Sequence, residues 1–101
     1  MRKYYKYNIF FIYFFESNNS CSINISEIFW QKIKMLNSKD FQLKLFYGEN
    51  KIDLEYYARE IAGGKQYLRV ILKGELSKFE KKFIEENLEK IYLEVEIVVE
   101  N

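Results

Sequence analysis

A lone cysteine, two groups of glutamates and a Gly-Gly-Lys turn are the residues of this chain best suited by type to chemistry. Cys21 offers a nucleophile if a neighbouring base can take its proton. Glu85, Glu86 and Glu89 form one acidic group, and Glu94, Glu96 and Glu100 another. Paired acids of this kind run glycoside hydrolysis or hold Mg²⁺. Gly63-Gly64-Lys65 suggests a phosphate cradle. Each candidate meets an obstacle. Histidine is absent from all 101 residues, which removes the commonest general base near neutral pH and any His partner for Cys21. One cysteine and no histidine also exclude an internal disulfide and a four-ligand Cys/His zinc site. On the helix predicted below, Lys81–Glu85, Lys82–Glu86 and Glu86–Lys90 stand four apart, the spacing of a solvated, self-paired face. Gly63-Gly64-Lys65 lacks P-loop spacing, and no helix follows it, so a hairpin turn is the better reading. The sequence therefore predicts no catalytic residue, no cofactor and no metal.

Composition narrows the class further. A hydrophobic share of 49% and a charged share of 31% describe a globular chain, and residues 1–101 are read as a single domain. A net charge of +1 argues against a strongly basic nucleic-acid binder or a polybasic membrane anchor. Lys, Asn, Ile, Phe, Tyr and Met supply 53 of the 101 residues, whereas Gly, Ala, Arg and Pro supply 9. That skew is the mark of an AT-rich genome, such as a low-GC bacterium, its phage or plasmid, or an archaeal virus. The aromatic content is thus partly codon bias and not direct evidence of a binding function. A single thiol fits a reduced, cytoplasmic setting.

The elements follow from periodicity. Residues 8–15, NIFFIYFF, come after the basic start MRKYYK. This resembles the opening of a signal peptide, but the run is short and aromatic, and no A-x-A cleavage pattern follows. It is too short for a membrane helix. A strand is the remaining reading, with Ile9, Phe11, Tyr13 and Phe15 on one face and Phe10, Ile12 and Phe14 on the other. SNNSCS (17–22) reads as a polar loop. A helix starts near Asn24 or Ser26 with a stripe of Ile28, Phe29, Ile33 and Leu36. FQLKLFY (41–47), KIDLEYYARE (51–60) and QYLRVILKG (66–74) alternate as three strands of an antiparallel meander. Ser77 and Glu80 form a capping box for a second helix with a stripe of Phe79, Phe83, Ile84, Leu88 and Ile91. YLEVEIVVE (92–100) is the last strand, burying Leu93, Val95, Ile97 and Val99.

The predicted order is β-α-β-β-β-α-β: a two-layer α+β sandwich with a five-stranded, mainly antiparallel sheet and two helices. It resembles a ferredoxin-like split βαβ with one extra meander strand. Its middle portion, α-β-β-β-α, is similar in element order to double-stranded-RNA-binding domains. The basic cluster that opens the last helix of that family is replaced here by LSKFEKKF, with Glu80 among the lysines.

If both helices share one face of the sheet, the other face is left apolar and aromatic. Alternation assigns to it Phe46, Tyr57, Tyr67, Ile71, Tyr92 and Val98, with Arg69 among the charges. Phe10, Ile12 and Phe14 or their neighbours join them. Monomers seldom leave such a patch bare. Basic Lys44, Arg59, Arg69 and Lys73 are matched by acidic Asp53, Glu55, Glu94 and Glu96, a balance that builds no phosphate-attracting field. The sequence therefore predicts a small non-enzymatic protein-interaction protein that binds a partner or itself, as a homodimer, through Phe46, Tyr57, Tyr67, Arg69, Ile71 and Tyr92. In style it is similar to the small anti-defence inhibitors of phages and mobile elements. The alternative is a nucleic-acid or nucleotide-binding module using Tyr57, Tyr67, Arg69 and Tyr92. No membrane partner is expected.

Overall fold

A computed structural model describes residues 2–16, 19–36 and 41–98. Seven strands and two short helices appear in the order β1 (Arg2–Phe14), β2 (Ser20–Ile25), α1 (Glu27–Leu36), β3 (Phe41–Tyr47), β4 (Asn50–Ile52), β5 (Leu54–Ala62), β6 (Lys65–Leu72), α2 (Lys78–Glu86) and β7 (Ile91–Val98), with a 3₁₀ turn at Leu88–Lys90. The strands form one sheet in the order β4-β3-β7-β1-β2-β6-β5, and every pairing is antiparallel. The sheet is curled into a half-barrel. The expected five-stranded, two-layer ferredoxin-like sandwich is therefore wrong.

Two stretches of chain account for the difference. The first is SCSINI, which is a strand and not the end of a polar loop: Cys21, Ile23 and Ile25 are buried while Ser22 and Asn24 are not. The serines disguise a strict period of two. The second is 50–62. Its first three residues pair with β3, its remainder from Leu54 onward pairs with β6, and only Asp53 lies between. The predicted meander is thus split at Asp53. Its backbone carbonyl accepts a hydrogen bond from Lys73 N at 2.9 Å, which ties the corner to the end of β6.

β1 makes the opposite corner. Its first half, Arg2 to Asn8, pairs with β7, and its second half, Ile9 to Phe14, pairs with β2. A bulge between Ile9 and Phe11 separates them. A bulge adds one residue and bends the strand, which is how strands pass between sheets packed at a steep angle. It also changes which side chains face inward. Tyr5, Tyr7 and Ile9 face in before the bulge, and Ile12 and Phe14 after it.

The core fills the concave side. Of the eighteen buried apolar side chains among the described residues, only Phe29, Trp30 and Ile84 come from helices. The sheet therefore buries itself largely by curling, with Cys21, Ile23, Leu45, Val70, Ile91, Leu93 and Val95 at its centre. α1 lays Phe29 edge-on to Tyr7 at 5.2 Å and edge-on to Trp30 at 4.9 Å. α2 is fixed by the capping box the sequence predicts: Glu80 N donates to Ser77 Oγ and Ser77 N donates to Glu80 Oε1, each at 3.1 Å. The predicted helix stripes need correction. Ile28 is exposed, and Trp30 is buried in its place. Phe79 is 79% exposed and Phe83 partly so, leaving Ile84 as the buried anchor of α2. Val99 lies outside the described residues, as do the side chains of Leu36 and Val98.

These placements fix an energetic contrast. Leu93→Ala opens a cavity at the centre of the sheet and is expected to cost about 2–5 kcal/mol in urea unfolding. Phe79→Ala removes an exposed ring and should cost about 0.5 kcal/mol or less. Equal costs would contradict the packing described.

Candidate functional site

The convex face of the sheet is the candidate site. Both helices pack on the concave side, through Phe29, Trp30 and Ile84, and no described helix covers the other. Strand register assigns the outward positions. On β1 these are Tyr4, Lys6, Phe11 and Tyr13, opposite Glu96, Glu94, Asn24 and Ser22 respectively. On β6 they are Tyr67, Arg69 and Ile71, and on β5 Tyr56, Ala58 and Glu60 opposite them.

The bulge concentrates aromatics here. It leaves the adjacent Phe10 and Phe11 exposed at 62% and 54%, with Tyr13 at 51% two residues on. Tyr13 meets Phe15 edge-on at 5.1 Å, and the Arg69 guanidinium lies 4.0 Å from the Phe15 ring centroid. Arg69 is also paired with Glu60, Nε to Oε2, at 3.2 Å. Ile71 and Tyr56, opposite each other, complete this group. The cation is thus neutralised and set over a ring, which makes it part of an apolar surface more than a free charge.

A second group lies near the other end of β1. Phe46 stacks on Tyr92 with ring centroids 5.1 Å apart and planes 8° from parallel, and Lys6 Nζ lies 5.1 Å from the Tyr92 ring. Glu96 is buried beside this group between Arg2 at 3.1 Å and Lys44 at 3.8 Å. Among the charges of the face, two of the acids are consumed in these pairs. The face therefore presents rings and closed ion pairs, with no broad field of either sign.

The predicted site residues divide accordingly. Tyr67, Arg69 and Ile71 share the outward side of β6, and Phe46 and Tyr92 stack together. The two groups are apart: Tyr92 is opposite Asn8, whereas Ile71 is opposite Ser20, whose carbonyl accepts from Phe15 N. Seven residues of β1 separate those positions, roughly 23 Å at the rise of a strand. Tyr57 is on the other side altogether, opposite Val70 and packed against the core, and Arg59 lies opposite Leu68. The bulge between Leu54 and Tyr56 shifts the alternation and turns Tyr56 outward in place of Tyr57. Phe11, Tyr13 and Tyr56 are the residues that alternation alone misassigned. Ile12 and Phe14, expected on this face, are in the core.

The other chemical candidates are placed less favourably. Cys21 is fully buried in β2, and burial pushes its thiol up to about 12, against smaller opposing effects of Arg69 and Lys81. The Tyr7 hydroxyl is also raised, by burial and then by the neighbouring Tyr5. Gly63 and Gly64, with φ of 59° and 76°, form the two-residue turn between β5 and β6, the left-handed conformation glycine tolerates best. Among the described residues, no group of three or more Cys, Asp or Glu side chains is arranged to hold a metal ion. No helix among them is long and apolar enough to cross a membrane.

The thiol gives a pH prediction. The unfolded chain loses the Cys21 proton near its ordinary value of 9.0, while the folded chain holds it to about 12. Between those values the unfolded state binds fewer protons, so stability falls as pH rises, by up to about 1.4 kcal/mol per pH unit. Urea unfolding of wild type and Cys21→Ala from pH 8 to 11 should show a shallower decline in the variant. Identical slopes, or rapid reaction of native Cys21 with a thiol reagent at pH 8, would contradict its burial.

No family model matches this chain, and no curated protein or solved structure matches it either.

Proposed function

We propose that this is a small non-enzymatic interaction protein that binds another protein, or a second copy of itself, through the convex aromatic face of its sheet. The observation that carries the reading is the exposed cluster Phe10, Phe11 and Tyr13 on the strand that runs through the middle of the sheet. Exposed rings cost solvation unless a partner covers them, and large aromatics dominate the centres of protein interfaces. The closed pairs Arg69–Glu60 and Arg2–Glu96 further favour protein over nucleic acid, since neither guanidinium is left to neutralise a phosphate. The absence of histidine and the burial of the only thiol favour binding over catalysis. An inhibitor that docks on a larger protein in the cytoplasm, as anti-defence proteins of mobile elements do, is the biological role this combination suits.

The test is a double substitution, Phe11→Glu with Tyr13→Glu. Sedimentation of the purified protein and affinity capture with both forms should show wild-type association abolished in the variant. Thermal unfolding of the variant should fall by no more than about 1 kcal/mol per substitution, the range of exposed strand positions. Unchanged association in the variant overturns the reading. So does a wild-type protein that stays monomeric, captures nothing and binds single-stranded RNA with salt-sensitive affinity.

A further inference from the structure

Curling leaves part of the sheet with an open edge. β4 covers only Leu45 to Tyr47 of β3, so Phe41 to Lys44 pair on the β7 side alone. Among the described strands, β5 pairs only with β6 along its nine residues. Alternate N–H and C=O groups of both stretches therefore point away from their partner strands. Two cavities mark the slot between these edges. One, of about 300 Å³, is lined by the consecutive residues Gln42, Leu43 and Lys44 of β3. The other, of about 230 Å³, is lined by the consecutive residues Tyr57, Ala58 and Arg59 of β5, with Phe29 and Ile33 of α1. Neighbours in a strand point to opposite faces, so three in a row line one cavity where the strand turns its edge to it. Leu43 and Tyr57 border both cavities, which makes them one continuous slot. Its charge is one-sided. Lys44, Lys51, Lys73 and Arg59 line it, against Asp53 alone. Lys51 reaches Asp53 at 3.7 Å and Lys44 reaches Glu96 at 3.8 Å, both beyond the roughly 2.7–2.9 Å of a charge-assisted hydrogen bond. Among the described residues no carboxylate pairs with Lys73 or Arg59.

We infer that this slot takes an acidic peptide segment of a partner protein as an added strand on β5. The peptide's N–H and C=O groups bond the open edge of β5, which supplies affinity without regard to sequence. Its apolar side chains enter the cavity beside α1, and its carboxylates meet the lysines around the Asp53 corner. A second copy of this chain seated by the same slot would set the same excess of cations against itself, and like charges facing each other across strands are destabilising. An acidic segment answers both features at once, the open edge and the surplus of lysines. The slot is separate from the convex face, and either site can fail without the other.

The probe is a short blocked peptide of alternating glutamate and valine, titrated into the isotope-labelled protein. It should bind saturably below about 1 mM and slow the amide exchange of β5, leaving the amides of Phe11 and Tyr13 unmoved. The same peptide with lysine in place of glutamate should bind at least about tenfold more weakly. A version N-methylated throughout cannot donate to the edge and should not bind. Lys73→Glu should weaken the acidic peptide at least about fivefold. Lys73 is exposed, and its backbone N–H to the Asp53 carbonyl is untouched by the change, so this variant should unfold like wild type. Phe11→Glu with Tyr13→Glu should keep full affinity for the peptide. No saturable binding at about 1 mM, or resonance shifts confined to the convex face, overturns the site. Equal binding of the lysine peptide, or full affinity in Lys73→Glu, overturns the acidic assignment. Full affinity of the N-methylated peptide overturns strand addition. A wild-type dimer in which the same β5 amides are protected puts a second copy in the slot and overturns the peptide assignment.

Discussion

The two outermost strands of the sheet are joined by one residue. β4 and β5 lie at opposite edges in a sheet of seven, yet Asp53 alone connects them. Two peptide units span at most about 7 Å, whereas seven strands laid flat are roughly 30 Å wide. The edges must therefore come together at this corner, and the sheet has to curl. β1 supplies the second corner by bending at its bulge and pairing with β7 on one side and β2 on the other. Two long stretches, each serving both halves, make a half-barrel from a chain of modest length.

Curling settles how the core is covered. Two helices side by side, each about 10 Å across, hide roughly 20 Å of a sheet. They would leave a flat seven-stranded sheet partly bare on its core side. In the curled sheet most buried side chains meet other strands, and the helices only cap the opening: α1 with Phe29 and Trp30, α2 with Ile84. The same geometry spends both helices on the concave side and leaves the convex aromatics to solvent or a partner.

Much of this was legible residue by residue, and the failures share a cause. The strands read from alternation at 41–47, 66–74 and 92–100 fall within two residues of β3, β6 and β7, and Ser77 and Glu80 announce the start of α2. Alternation counts residues, however, and a bulge adds one without marking it. At Phe10 and near Glu55 that extra residue moved every following side chain to the opposite face, so Phe11, Tyr13 and Tyr56 were exchanged for Ile12, Phe14 and Tyr57. Cys21 hid a strand because serines and asparagines imitate loop composition. Nothing local in IDLE distinguishes a continuous strand from one that turns a corner. That choice is made by the core, since Leu54 gains burial opposite Leu72 when it leaves β3.

The corner at Asp53 is therefore the claim to test, and cross-strand backbone contacts in the NMR spectrum of the labelled protein test it most directly. Contacts are expected at Leu45–Ile52 and at Leu54–Leu72, none between β3 and the residues after Asp53, with β2 seated between β1 and β6 through Ile12–Ile23 and Ile23–Leu68. A hairpin register that runs on past the corner, to Leu43–Leu54 and Phe41–Tyr56, would show a flat meander and contradict it.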